Sequence, residues 1–264
     1  MKLTKENRPI LAKTENLRAD PSQRMLFTIG NINGNVQLLL KMIAEIEECG
    51  MFCTNDKVII LGNFIGATGD TQEVIDVLKE YQSQRKGQVV VIRGAREQKM
   101  LCAKKNFFQS ELGKGVLKSY RKPGSQYRPK ECNYIDCRQI TADSLWLETL
   151  PMYFQSDKYF FVHSGVNPDR DLDKQNLGGF MFIQDNFYKS PRVYDYAVVH
   201  THPGFKSEFK TARVSIGQGD KKSLTCFMIN DRWDQKELQA FKKHVAHTLV
   251  VKEETPQACG LDKP

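Results

Sequence analysis

Apolar residues in this chain fall in short blocks of two kinds, separated by glycine- and asparagine-rich turns. Met25-Leu26-Phe27-Thr28-Ile29 is a run of strand length that stops at Gly30. After the polar stretch Gly30-Asn31-Ile32-Asn33-Gly34-Asn35, the apolar residues Val36, Leu39, Leu40, Ile43 and Ile46 recur at three- and four-residue intervals. That change of period predicts a buried strand, a tight turn and an amphipathic helix. The unit repeats. Lys57-Val58-Ile59-Ile60-Leu61 predicts a second strand, 62–70 a loop, and Thr71–Gln82 a helix with Val74, Ile75 and Leu78 on its inner face. Val89-Val90-Val91-Ile92 predicts a third strand, leading into a loop at 93–97 and more helix. Strand, loop and helix in three successive copies imply a largely parallel sheet covered by helices.

The second half is richer in strands, expected over Tyr159–His163, Ala197–His200, Ala212–Ile216 and Ser223–Ile229, with a polar helix near Gln235–His247. Residues 1–24 lack periodicity and are expected to form a mobile arm. Residues 25–250 are expected to form one α/β domain with two facing mixed β-sheets flanked by helices. Within it, 104–143 reads as a helical and loop insertion, and 251–264 as a loose tail. In such folds ligands gather at the carboxyl ends of strands, so the loops at 30–35, 62–70 and 93–97 are where chemistry is expected.

Composition narrows the classes. Hydrophobic residues at 40% and charged residues at 27% are ordinary for a folded domain of 264 residues, which needs no disulfide or metal to complete its core. No apolar run approaches the roughly 20 residues of a membrane span, so no membrane role is expected. The amino-terminal residues lack the apolar core of a signal peptide. Seven cysteines, none in a C-x-x-C pair, read as reduced thiols in a cytoplasmic or other reducing compartment. Lys and Arg outnumber Asp and Glu by 39 to 31, a net charge of +8. Such a basic balance favours anionic partners such as nucleic acid or an acidic protein.

The three loops carry a resemblance. Gly30-Asn31-Ile32-Asn33-Gly34-Asn35 resembles the G-D-x-H-G-N loop of the calcineurin-like metallophosphoesterases, in particular the serine/threonine phosphoprotein phosphatases. Leu61-Gly62-Asn63-Phe64-Ile65-Gly66-Ala67-Thr68 stands where that family has L-G-D-x-x-D-R-G, and Arg93-Gly94-Ala95-Arg96-Glu97 where it has R-G-N-H-E. Phe161-Val162-His163-Ser164-Gly165-Val166-Asn167-Pro168 is similar to its V-H-A-G-x-x-P turn, and Val198-Val199-His200-Thr201-His202-Pro203 to its V-V-x-G-H-T-P segment. Five segments over residues 25–230 thus follow the family order, closest to its bacterial and phage-type members and the diadenosine tetraphosphate hydrolases.

The resemblance implies a two-metal phosphoesterase fold, and the same positions imply that its chemistry is lost. Family metal ligands fall at Asn31, Asn33, Asn63, Ala95, His163 and His202, of which only the two histidines keep the family residue. Neutral carboxamides at 31 and 63 remove the negative charge that two dications require, and Ala95 has no donor atom. Arg96 stands in place of the acid histidine and holds its proton at any working pH. Gly66 and Ala67 replace the Asp and Arg of D-R-G, and Gln184 falls where another family arginine is expected. The expectation is therefore no cofactor, with a single weak metal ion on His163 and His202 as the residual alternative.

Three functional readings follow. The first is a catalytically inactive phosphatase-like protein that binds a protein partner or a phosphorylated ligand. The second is an active phosphoesterase with a reduced metal site. The third is a nucleic-acid-associated protein using the basic insertion, where Lys118, Arg121 and Lys122 interleave with Phe107, Phe108, Tyr120 and Tyr127. Arg96 is a further anion- or partner-binding candidate: its guanidinium either reaches the side-chain oxygens of Asn31 and Asn63 or a bound anion, or points to solvent. His200 is expected to pack or to face solvent rather than to act.

Overall fold

The computed structural model describes residues 24–49, 52–102, 105–120, 138–182, 185–202, 208–210, 213–217, 222–231 and 247–253. The sequence-based expectations for Arg121, Lys122, Tyr127 and Gln184, for the arm up to residue 23, and for the helix at 235–246 lie outside these residues.

Two five-stranded sheets face each other. The first has β1 (Met25–Ile29), β2 (Lys57–Ile60) and β3 (Val89–Val91) side by side and parallel. Two antiparallel strands, β9 (Ser223–Asn230) and β10 (His247–Lys252), extend it beyond β1. The second sheet runs β4 (Tyr153–Gln155), β5 (Tyr159–Val162), β6 (Ala197–His202), β8 (Arg213–Gly217) and β7 (Glu208–Lys210). Its three central strands are parallel and its edges antiparallel. The mixed two-sheet α/β architecture expected from the sequence is the one observed.

Alternation along each strand sorts the core into layers. On β5, Tyr159 and Phe161 point to the inter-sheet core with Leu26, Ile59, Val199 and Phe227. Phe160 and Val162 face the other way, onto Val166, Phe180 and Phe187. On β1, Phe27 and Ile29 meet the helices. Strands buried on both faces read as continuous apolar runs, which is why the central ones were legible. Each fully buried Phe or Ile contributes about 2 kcal/mol.

Helices α1 (Val36–Glu48) and α2 (Thr71–Gln84) cover the first sheet. Each begins on a side-chain cap, Asn35 Oδ1 accepting from Leu38 N at 3.0 Å and Asp70 Oδ1 from Glu73 N at 3.0 Å. The insertion is helical where described: α4 (Lys105–Gln109), α5 (Glu111–Ser119) and α6 (Arg138–Thr149) follow α3 (Ala95–Leu101). Buried Asp143 on α6 ties them down, accepting from Lys79 Nζ, from Tyr120 Oη at 2.6 Å and from Gln139 Nε2 at 3.0 Å. Tyr120 and Phe107 pack on the main core, so two of the aromatics expected to interleave with basic residues are committed inward. Lys118 is exposed.

Three features differ from the sequence expectation. The edge strands β4 and β7 were not predicted. His247, expected to end a helix, opens β10, and Val251 is a packed residue of that strand rather than the start of a tail. Two short helices, α7 (Leu177–Met181) and α8 (Asp185–Lys189), cover the outer face of the second sheet.

Candidate functional site

The loops after β1, β2 and β3 meet at one end of the first sheet and interlock through their backbones. Asn33 N donates to Asn63 O at 3.0 Å, Gly34 N to Phe64 O at 2.8 Å and Asp70 N to Gly34 O at 3.0 Å. Asn33 and Asn63 adopt left-handed backbone conformations, with φ of 57° and 51°. Asparagine enters that region more readily than most side chains, so both asparagines serve the turns themselves. This backbone role was missed from the sequence, although Asn33-Gly34 is a recognisable turn dipeptide.

Gly66 is the tightest point. A Cβ placed there would lie 2.0 Å from Asn33 O, and one at Gly94 would lie 2.4 Å from Asn63 N. Glycine at 66 is thus the residue that lets the second loop rest on the first. The backbone at this position leaves no room for a side chain.

Glu97 holds the second and third loops together. Its buried carboxylate accepts from Asn63 N at 2.8 Å, Gly94 N at 2.9 Å and Ile65 N at 3.0 Å. Burial pushes its pKa up, and the backbone N–H groups oppose that shift. In the sequence Glu97 stands only as the end of the Arg93–Glu97 segment. Nothing in its local pattern marks it as buried.

Arg96 is placed differently from the expectation. Its guanidinium Nη1 donates to Ile65 O at 3.0 Å rather than to the side chains of Asn31 and Asn63. The Asn63 Oδ1 atom instead accepts from Arg96 N at 3.0 Å, satisfying one of the unpaired N–H groups in the first turn of α3. Burial lowers the Arg96 pKa from its usual value, with Glu97 opposing.

His163 lies just past β5, 2% exposed, with Nδ1 2.7 Å from Leu61 O. Its backbone oxygen accepts from Thr201 N at 2.9 Å and Thr201 Oγ1 at 2.8 Å, joining the two strands. Burial lowers its pKa to about 4; the Leu61 hydrogen bond opposes this and the nearby Arg96 charge adds to it. An unfolded histidine titrates near 6.5, so between that pH and about 4 the unfolded chain takes up a proton that the metal-free folded chain refuses. Stability is complete above pH 6.5 and falls by about 3 kcal/mol as pH drops through this window. Chemical denaturation across pH 4–7 is expected to show this loss, and His163→Gln to flatten it. Of the two placements open to His200 it takes the packed one, buried and edge-on against Phe187 at 5.2 Å. His202 ends β6 opposite Gly217.

These residues do not fit a pair of divalent ions. Asn63 Oδ1 is engaged on α3, the remaining carboxamides are neutral, and Ala95 offers no donor. Among the described residues, no three of His, Cys, Asp or Glu gather as a metal site. What the loops do form is a cleft of about 620 Å³, lined by Asn31, Asn33, Arg96, the exposed loop 67–69, and the starts of α1 and α2. Asn31 is 3% exposed, and neither its Nδ2 nor its Oδ1 has a partner among the described residues; Asn33 Oδ1 has none either.

No protein-family model and no curated protein matches the chain. Solved structures do. A protein provisionally assigned as a diadenosine tetraphosphatase aligns at 14% identity and a TM-score of 0.52, over 77% of this chain and 88% of its own. A protein from Pyrococcus horikoshii OT3 aligns at 17% identity and 0.52, over 89% of both chains. A serine/threonine phosphatase from Saccharomyces cerevisiae with similarity to human phosphatase PP5 aligns at 12% identity and 0.51, over 88% of this chain and 81% of its own. At these identities the likeness establishes a common fold.

Proposed function

On the calcineurin-like metallophosphoesterase fold that the chain has, we propose that it is a binding protein that hydrolyses no phosphoester. The observation that carries this reading is the closure of the second loop onto the first at Gly66. Neutral side chains at 31, 33 and 63 could reflect a few reversible substitutions. A backbone contact that leaves no room for a side chain at 66 supports a site rebuilt around their absence. Arg96 reinforces the point, because it cannot donate and recover a proton as a leaving-group acid must.

The scaffold supports the binding half of the proposal. Glu97, Asn63 and the turn glycines hold the three loops together, and the cleft is of a size that suits a small ligand or the side chains of a partner. Purified protein with manganese and an aryl phosphate, and separately with a diadenosine polyphosphate, is expected to show no turnover above buffer. Turnover that depends on metal and disappears with Arg96→Ala or His163→Ala would replace this reading with that of a reduced-site phosphoesterase.

A further inference from the structure

We propose that the cleft takes a cationic hydrogen-bond donor, the ammonium or guanidinium tip of a basic side chain presented by a protein partner. This rests on the binding reading above and names its ligand.

Asn31 lies at the cleft floor, almost wholly buried, with both polar atoms of its carboxamide unpaired among the described residues. Buried amides that lack partners are costly, and native structures keep them where something else completes them. The oxygens of Asn31 and Asn33 supply two acceptor atoms, and Asn31 Nδ2 carries two N–H donors. Asp70, Glu73 and Glu253 line the same cleft. Asp70 uses one oxygen to cap α2, and Glu253 Oε1 accepts from Asn35 Nδ2 at 2.7 Å, which leaves each with acceptor capacity.

The charge of the lining decides the ligand class. A phosphate could accept from Asn31 Nδ2 but would face three carboxylates with one guanidinium to offset them. An ammonium or guanidinium group offers donors alone, which suits the carboxylates and the asparagine oxygens and leaves Asn31 Nδ2 without an acceptor. Arg96 does not compete, because its guanidinium is turned to the Ile65 carbonyl. The local carboxylates draw a basic partner to this one face, against the repulsion of a chain of net charge +8. The carboxylates come from three places, the cap of α2, its first turn and the residue after β10. That spread suits several basic residues on one polypeptide better than a single small cation.

The test uses the full chain, without added metal, and a fluorescent heptalysine peptide read by anisotropy. Saturable binding is expected, weakened about tenfold or more when the lysines are acetylated. Asn31→Leu is expected to weaken it by about tenfold while leaving the melting temperature unchanged or higher, because an unpaired buried amide is removed. Asn31→Ala serves if the leucine does not fit. Glu73→Gln combined with Glu253→Gln is expected to weaken binding several-fold and reduce its salt dependence. Equal affinity for the acetylated peptide, tighter binding of a phosphopeptide, or indifference to these variants would overturn the proposal. Spermidine binding as tightly as the peptide would overturn the choice of a protein partner. None of these readouts involves phosphoester turnover, so the hydrolysis assay judges the underlying reading separately.

Discussion

Glu97→Ala is expected to lower stability by on the order of 4 kcal/mol, the largest effect of any single side-chain truncation near the cleft. Its carboxylate accepts three backbone N–H groups from two loops at 2.8–3.0 Å. Removing it leaves Asn63, Gly94 and Ile65 with buried donors that no water reaches easily. Each such donor costs about 1–3 kcal/mol, and partial relaxation of the loops recovers some of the total. A protein of this size loses roughly 2–4 °C in Tm per kcal/mol, so calorimetry is expected to show a fall of about 10 °C. Glu97→Gln is the informative companion. It keeps the volume and one acceptor oxygen but turns an amide N–H₂ toward a backbone N–H, so an intermediate loss is expected. A loss below about 1 kcal/mol for Glu97→Ala would mean that the loops are held by something else.

Gly66→Asp, the change that brings the loop to the L-G-D-x-x-D-R-G pattern it resembles at this position, is expected to be nearly as damaging. The new Cβ would sit 2.0 Å from the Asn33 carbonyl oxygen, 2.5 Å from its carbon and 2.6 Å from the Thr68 oxygen. All three are backbone atoms, so no flexible side chain can swing aside, and the two loops must separate. Overpacking of this kind costs about 3 kcal/mol. Gly66→Ala is expected to cost almost as much, since the clash begins at Cβ. Cleft substitutions that bring back only ligand atoms, such as Asn31→Asp with Asn63→Asp, are therefore expected to fail to restore metal-dependent turnover. The measurement is the melting temperature of both Gly66 variants, with a fall of about 6–12 °C expected. If Gly66→Asp melts with the parent, the loops are not closed as described.

The fold was readable where physical chemistry writes it redundantly. Strands β1, β2, β5 and β9 are buried on both faces, so each is a near-continuous apolar run that composition alone reveals. The edge strand β4 was not, because Tyr153 and Gln155 are exposed and Phe154 is only partly buried. β10 was hidden for a related reason. His247-Thr248-Leu249-Val250-Val251-Lys252 ends a polar stretch, Val250 is 47% exposed, and only pairing with β9 makes a strand of it. Of the cleft, the identity of the altered positions was legible and their present use was not. Asn63 reads as a lost ligand, yet its side chain caps α3 and its backbone takes a positive φ. Arg96 reads as a charge for the cleft, yet its guanidinium is turned to a carbonyl in the second loop. Those assignments depend on which atoms meet across 30 or more residues of sequence, and no local pattern records them.

The central claim is that this cleft has been rebuilt as something other than a metal centre. Isothermal titration of the purified, chelator-treated chain with manganese tests it most directly. The account predicts no stoichiometric binding and no rise in melting temperature with added metal. Two equivalents bound at micromolar affinity, lost in Asn31→Ala and His163→Ala, would contradict it.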